Sequence, residues 1–292
     1  MPVYIVTGKL GTGKGKYAIG KVREALQQGR RVATNCDLVM EHLTSAQSRV
    51  TAMRIPDRPL AQDLRDIGHG NPHDPYNEDR AGVLVLDELG SWLNSRTFAS
   101  AERLALLDWL IHARKHGWEC YLLVQHLDMI DKQVRLGLAE YIVECMRLDK
   151  VKLPIVGDFL GKRGRLPRIH VARTVMQAMP TVVIDREFYR GTDLHDAYDT
   201  LQEFREWHRD PKSPGFEMER YVGVYSYLSG WHVAGRHQEP AAPRPGRLAR
   251  VFRSAPPVRP PLRPQLPAVR LASKLPRDEA WALARRYVRS AP

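Results

Sequence analysis

The chain opens on residues suited to holding a nucleotide. Gly8-Lys9-Leu10-Gly11-Thr12-Gly13-Lys14-Gly15 fits the phosphate-binding pattern GxxxxGK[ST] at every position except the last. In that pattern the glycines let successive backbone N–H groups curl around a β-phosphate. The lysine reaches the terminal phosphates, and the closing hydroxyl holds Mg²⁺. Here Gly15 stands where the hydroxyl belongs, so ATP and Mg²⁺ are the expected cofactors and metal-dependent turnover is the open question. Mg²⁺ keeps several waters, so a water can stand in for the missing ligand. Lys16 adds a second cation beside the phosphates, whereas Thr12 lies within the loop at a spacing that does not match the usual ligand.

A second cluster is Asp87-Glu88, which ends the apolar run Gly82-Val83-Leu84-Val85-Leu86. Asp87 suits a Mg²⁺ ligand, direct or through water, and Glu88 suits the base that polarises an attacking water. A third is Gln125, an amide placed after Trp118-Glu119-Cys120-Tyr121-Leu122-Leu123-Val124 and able to contact a γ-phosphate or the attacking water. A strand-end glutamine that merely caps a loop is the competing reading.

These groups need a frame. Pro2 to Thr7 reads as a buried strand, and Lys14 to Gln28 as a helix with Tyr17, Ala18, Val22, Ala25 and Leu26 on one face. Its N-terminus then points at the phosphates. Ala101 to His116 carries Leu104, Leu107, Leu110 and Ile111 at helical spacing and stops at Gly117. Further strands are expected at 31–35, 141–147, 168–173 and 181–184, with a hairpin turn at Gly161-Lys162-Arg163-Gly164. Strands alternating with helices predict an α/β P-loop NTPase, a mainly parallel sheet between helices with added C-terminal strands. The ligand edge is then at the carboxyl ends of the strands.

The loop close to the start, Val83 to Glu88 followed by Leu89-Gly90-Ser91-Trp92, and the basic His112-Ala113-Arg114-Lys115-His116-Gly117 together resemble the zonular-occludens-toxin family. Leu123-Val124-Gln125-His126 followed by Ile130 to Arg135, and the closing Tyr198-Asp199-Thr200 and Gly223 to Ser229, add to the resemblance, which spans roughly residues 1–231. These are P-loop assembly ATPases encoded by filamentous phages. The resemblance implies a ring-forming homo-oligomer that sits at the host inner membrane and uses ATP to extrude phage ssDNA, working with other phage assembly and coat proteins. It also implies an arginine supplied in trans to the transition state, for which Arg114 is preferred over Arg147. Two alternatives stay open. One is a nucleotide-binding scaffold or regulator with little turnover; the other is a small-molecule P-loop kinase, whose lid the basic run 161–168 would imitate.

Composition limits the remaining classes. Cys36, Cys120 and Cys145 are scattered and odd in number, which excludes a disulfide scaffold and argues against a zinc site. No run approaches the roughly 20 apolar residues of a membrane-spanning helix, and no secretory signal precedes the first strand. Taken with the host inner membrane that the resemblance implies, this makes the expected location the host cytoplasm, peripheral at the cytoplasmic face of that membrane. The formal net charge is +12, and +10 of it lies in residues 236–292. The expected organisation is an ATPase domain over 1–235, a Pro/Arg-rich linker over 236–276 and a short helix over 277–292. Pro256-Pro257 and Pro260-Pro261 predict a disordered or polyproline-like linker. Such a tail suits ssDNA phosphates or an anionic membrane surface.

Overall fold

A computed structural model describes residues 2–93, 101–130, 132–150, 169–204, 223–233 and 235. The chain divides into two units, Met1–Glu239 and Pro240–Pro292, and everything described belongs to the first. The expected turn at 161–164, the linker and the C-terminal helix lie outside the described residues, as does the candidate kinase lid.

Strands β1 (Val3–Thr7), β2 (Val32–Thr34), β3 (Met53–Arg54), β4 (Gly82–Leu86), β5 (Trp118–Val124) and β6 (Tyr141–Arg147) run parallel in the order β6-β1-β5-β4-β2-β3. Strands β7 (His170–Met176) and β8 (Val183–Tyr189) add antiparallel beyond β6, and the short β9 (Tyr225–Ser226) closes the other edge against β3. The central strands are apolar on both faces because helices cover both faces. Side-chain alternation divides β4 between two cores. Val83 and Val85 face α1 (Lys14–Gln27), with Tyr17, Ala18 and Val22 beneath them. Leu84 and Leu86 face the opposite layer, with Leu64 of α2 (Ala61–Asp66) and Leu107 and Leu110 of the helix over Ala101–Ile111.

The buried face of α1 is the expected one. The helix ends at Gln27 because Gly29, at φ +69°, turns left-handed and lets Arg30 N–H donate to the Ala25 carbonyl at 2.9 Å. The helix starting at Ala101 departs from expectation. It stops at Ile111, and residues 112–117 form turns ending at Gly117 with φ +75°. Its stripe is also rotated: Leu104 and Ile111 are about half exposed, while Leu106 and Trp109 go inward with Leu107 and Leu110. The bulk of Trp109 inside the second core decides the face.

Candidate nucleotide site

Because β5 lies between β1 and β4, three chain segments meet at the carboxyl edge of the sheet: the loop after β1, Asp87-Glu88 after β4, and Gln125 after β5. They line one cavity of about 660 Å³. A smaller cavity of about 370 Å³, lined by Tyr4, Tyr17, Tyr121 and Glu119, offers neither loop amides nor a helix start, which makes the larger one the candidate phosphate site.

The loop is shaped by its own glycines and by β7 and β8. Gly8, Gly11 and Gly13 all have positive φ, at +150°, +74° and +97°. Gly13 has a second reason to be glycine, since a Cβ there would come within 2.5 Å of His170 Nδ1. That nitrogen lies 2.7 Å from the Thr12 carbonyl, and Tyr189 Oη donates to the Gly13 carbonyl at 3.1 Å. Stacking of the His170 and Tyr189 rings, with centroids 5.3 Å apart, fixes both props. Burial lowers the His170 pKa, so the ring is a neutral imidazole at neutral pH. A carbonyl can only accept, so Nδ1 carries the ring proton and donates it to the Thr12 carbonyl.

Gly13 precedes α1 without a side-chain cap, and no acid occupies the first turn, so the helix presents unpaired N–H groups and a positive dipole end to the cavity. Lys14 Nζ donates to the Gly8 carbonyl at 2.6 Å and lies 3.4 Å from the Lys9 carbonyl. Burial lowers its pKa, opposed by the charge of Asp87. Leu10, Gly11, Gly13, Lys14, Gly15 and Lys16 line the cavity. Gly8 and Thr12 build the curve, with Thr12 Oγ1 donating to the Lys9 carbonyl at 2.7 Å, and the Lys9 side chain is exposed. Lys16 Nζ meets His195 Nε2 at 2.9 Å.

Asp87 is set by Asn35, whose Oδ1 accepts the Asp87 N–H at 2.8 Å and whose Nδ2 donates to the Asp87 and Asp57 carbonyls at 3.1 and 2.9 Å. Burial pushes the Asp87 carboxyl up to about 6, opposed by the Glu88 N–H donated to its Oδ1 at 2.6 Å and by Lys14. Glu88 adopts φ +56°, alone among the described non-glycine residues in having positive φ. That left-handed geometry bends the chain off β4 into the short helix over Leu89–Trp92 and leaves the Glu88 carboxyl on the cavity wall, where burial raises its pKa. Gln125 lines the same wall, its carbonyl 3.5 Å from Thr7 Oγ1.

The two arginines separate. Arg147, at the end of β6, lines the cavity, with Nη1 3.5 Å from the Gly11 carbonyl and the guanidinium held bidentate by Asp149 at 2.9 and 2.5 Å. Arg114 sits before the start of β5, roughly 20 Å along the strand from its carboxyl end, paired on the surface with Glu78 at 2.7 Å. It does not reach the cavity of its own chain.

Sequence reasoning missed Asn35, His170 and Tyr198 as site residues. Asn35 ends β2 as Gln125 ends β5, a strand-end amide that was the available signal. Tyr198 also lines the cavity, its phenol pushed up to about 12 by burial and by the charge of Asp87.

Among known proteins, the model of the family described as zonular occludens toxin (Zot) matches residues 2–183. The Gene 1 protein of Enterobacteria phage fd is 41% identical over 250 residues, covering 82% of this chain and 67% of that protein. The Gene 1 protein of Escherichia phage If1 is 43% identical over 237 residues, covering 78% and 64%. Among solved structures, the N-terminal domain of zonular occludens toxin from Neisseria meningitidis overlays with a TM-score of 0.39 at 16% identity, covering 68% of this chain and 98% of that one. The genome packaging NTPase B204 from Sulfolobus turreted icosahedral virus 2, in complex with ATP-gammaS, overlays at 0.37 and 13% identity, covering 65% and 97%. A family model matching more than half of the chain and relatives above 40% identity lead to one conclusion: the chain belongs to the zonular occludens toxin family.

Proposed function

We propose that the chain is the ATP-hydrolysing subunit of a motor that assembles filamentous phage and drives export of its ssDNA at the host inner membrane. The observation that carries this reading is the single cavity in which loop amides, Lys14, Asp87, Glu88 and Gln125 converge. The α1 N–H groups and Lys14 hold the β- and γ-phosphates, and Glu88 orients and deprotonates the attacking water. Gln125, between the loop and the acids, fixes that water against the γ-phosphate. Arg147 meets the phosphates from the β6 side, and Arg114, distant from its own cavity, serves the neighbouring subunit of a ring.

The residues fit Mg²⁺. Asp87 offers a buried carboxylate on the wall shared with Lys14, and Mg²⁺ needs only one or two protein ligands beside phosphate oxygens. Bound there, Mg²⁺ would neutralise charge on the phosphates. The basic segment 236–292 is the proposed contact to DNA phosphates or anionic lipid head groups, and phage assembly and coat proteins are the proposed partners.

Gly15 favours a second reading, a nucleotide-binding scaffold that turns over slowly. Asp87 and Glu88 with Gln125 beside them suit activation of water, which weighs against a kinase. The deciding experiment is ATP binding and Mg²⁺-dependent hydrolysis by the full chain, Lys14→Ala and Glu88→Gln. Lys14→Ala is expected to weaken binding and Glu88→Gln to keep binding while losing turnover. Unchanged affinity in Lys14→Ala overturns the site assignment, and binding without turnover in the unaltered chain leaves only the scaffold.

A further inference from the structure

The missing hydroxyl of the phosphate loop has a structural counterpart. A Cβ built on Gly15 would lie 2.9 Å from Tyr198 Oη and 3.2 and 3.3 Å from the ring atoms Cε2 and Cζ. The volume that a Ser or Thr side chain takes at this position of the loop is thus filled by a phenol from a distant part of the chain. We infer that the Tyr198 hydroxyl replaces the loop hydroxyl, entering the Mg²⁺ coordination shell beside Asp87 in the nucleotide-bound protein. This rests on the nucleotide-site reading proposed above.

Three observations support it. First, Tyr198 is positioned by the same frame as Asp87. Residues 197–199 lie antiparallel to 37–39, with Val39 N–H donating to the Ala197 carbonyl at 2.9 Å and Asp199 N–H to the Asp37 carbonyl at 3.1 Å. That partner segment begins two residues after Asn35, which grips Asp87. Gln202 locks the pair: its Nε2 donates to the Asn35 carbonyl at 2.9 Å, and its Oε1 accepts the Asp37 N–H at 2.7 Å. Second, the phenol stands on the cavity wall with Lys14, Gly15 and Asp87, half-buried and open to a ligand. Third, the exchange is sterically reciprocal. A side chain at position 15 and the Tyr198 hydroxyl compete for one space, so glycine is the residue that admits the phenol. A phenol hydroxyl offers an oxygen to a hard cation as an alcohol does.

The test is calorimetric titration of the full chain with ATPγS in Mg²⁺ and in EDTA, reading the ratio of the two affinities. The variants are Tyr198→Phe, Gly15→Ser and the double variant. Tyr198→Phe keeps the ring and removes only the oxygen, and the ratio is expected to fall on the order of tenfold. Gly15→Ser alone places its Cβ against Oη and is expected to give no gain. The double variant returns a hydroxyl to position 15 with Oη removed, its Cβ still 3.2 and 3.3 Å from the ring atoms that Phe keeps, and is expected to recover part of the ratio lost in Tyr198→Phe. An unaltered ratio in Tyr198→Phe, or a double variant no better than Tyr198→Phe, overturns the inference while the nucleotide site stands. Absence of ATPγS binding to the unaltered chain overturns both.

Discussion

Asn35 clasps the backbone of Asp87 in both directions, accepting its N–H at 2.8 Å and donating to its carbonyl at 3.1 Å. Asn35 is fully buried, so these groups have no water to fall back on. Asn35→Ala therefore leaves buried backbone polar groups unpaired, at about 1–3 kcal/mol for each group affected. The expected result is a loss of about 2–4 kcal/mol in urea unfolding and a larger proportional loss of turnover than of nucleotide affinity, because the clasp positions the metal ligand and not the loop. Equal losses in both would assign Asn35 to general stability.

Glu88 tests a trade between stability and chemistry. Its left-handed backbone costs an L-residue about 1–2 kcal/mol, which glycine avoids. Glycine gives back part of that through a freer unfolded chain. Glu88→Gly is expected to be as stable as the unaltered chain or up to about 1 kcal/mol more stable in chemical denaturation, with turnover lost. Glu88→Gln loses turnover with stability unchanged. Destabilisation by the glycine would mean that the carboxylate itself holds the turn.

The legible part of the site is the part written in contiguous residues. The loop and the two acids ending β4 are local patterns, and each lies at the carboxyl edge because a parallel strand precedes it. Asn35, His170 and Tyr198 act through contacts between distant segments, which no local periodicity records. Gly15 was a signal in disguise: read as a missing ligand, it is in the structure a space occupied from elsewhere. The rotated stripe of the helix over Ala101–Ile111 has the same origin. Leu104 and Leu106 are equally apolar, and the packing of Trp109 into the core, a non-local contact, decides which turns inward.

Asp87 gives a pH signature in the nucleotide-free protein. Burial raises its carboxyl from 3.8 to about 6, so between those values the folded chain binds the proton that the unfolded chain releases. Stability contributed by this group is full below about 4 and is lost as pH rises through about 6. Asp87→Asn removes that slope. The difference in unfolding free energy between the two proteins, measured from pH 4 to 7, is expected to change by about 2–3 kcal/mol in favour of the variant at the upper end. A flat difference would mean that Asp87 ionises normally.

His170 connects the antiparallel extension to the loop. Its ring supports Gly13 and bonds the Thr12 carbonyl, so β7 and β8 buttress the glycine-rich loop, which is proposed above to bind phosphate. His170→Ala is expected to weaken ATPγS binding in EDTA as well as in Mg²⁺, by about tenfold, because it loosens the loop and leaves the metal ligands in place. This pattern is opposite to that of Tyr198→Phe. A loss confined to the Mg²⁺ condition would contradict the buttress role.

Arg147 and Arg114 are separated by a mixing experiment. Arg147 lies against Gly11 in the cavity of its own chain, whereas Arg114 is exposed at the other end of β5. Mix each alanine variant one to one with Glu88→Gln, so that both parents lack turnover. An arginine acting in its own subunit never meets an intact Glu88 from the other parent in the same site, so the Arg147→Ala mixture is expected to stay silent. An arginine acting across a head-to-tail ring interface meets an intact acid in about a quarter of the sites of a random mixture. The Arg114→Ala mixture is expected to recover that fraction, read as phosphate release per subunit. Recovery with Arg147→Ala in place of Arg114→Ala would reverse the two roles, and recovery with neither would remove the trans arginine from the mechanism.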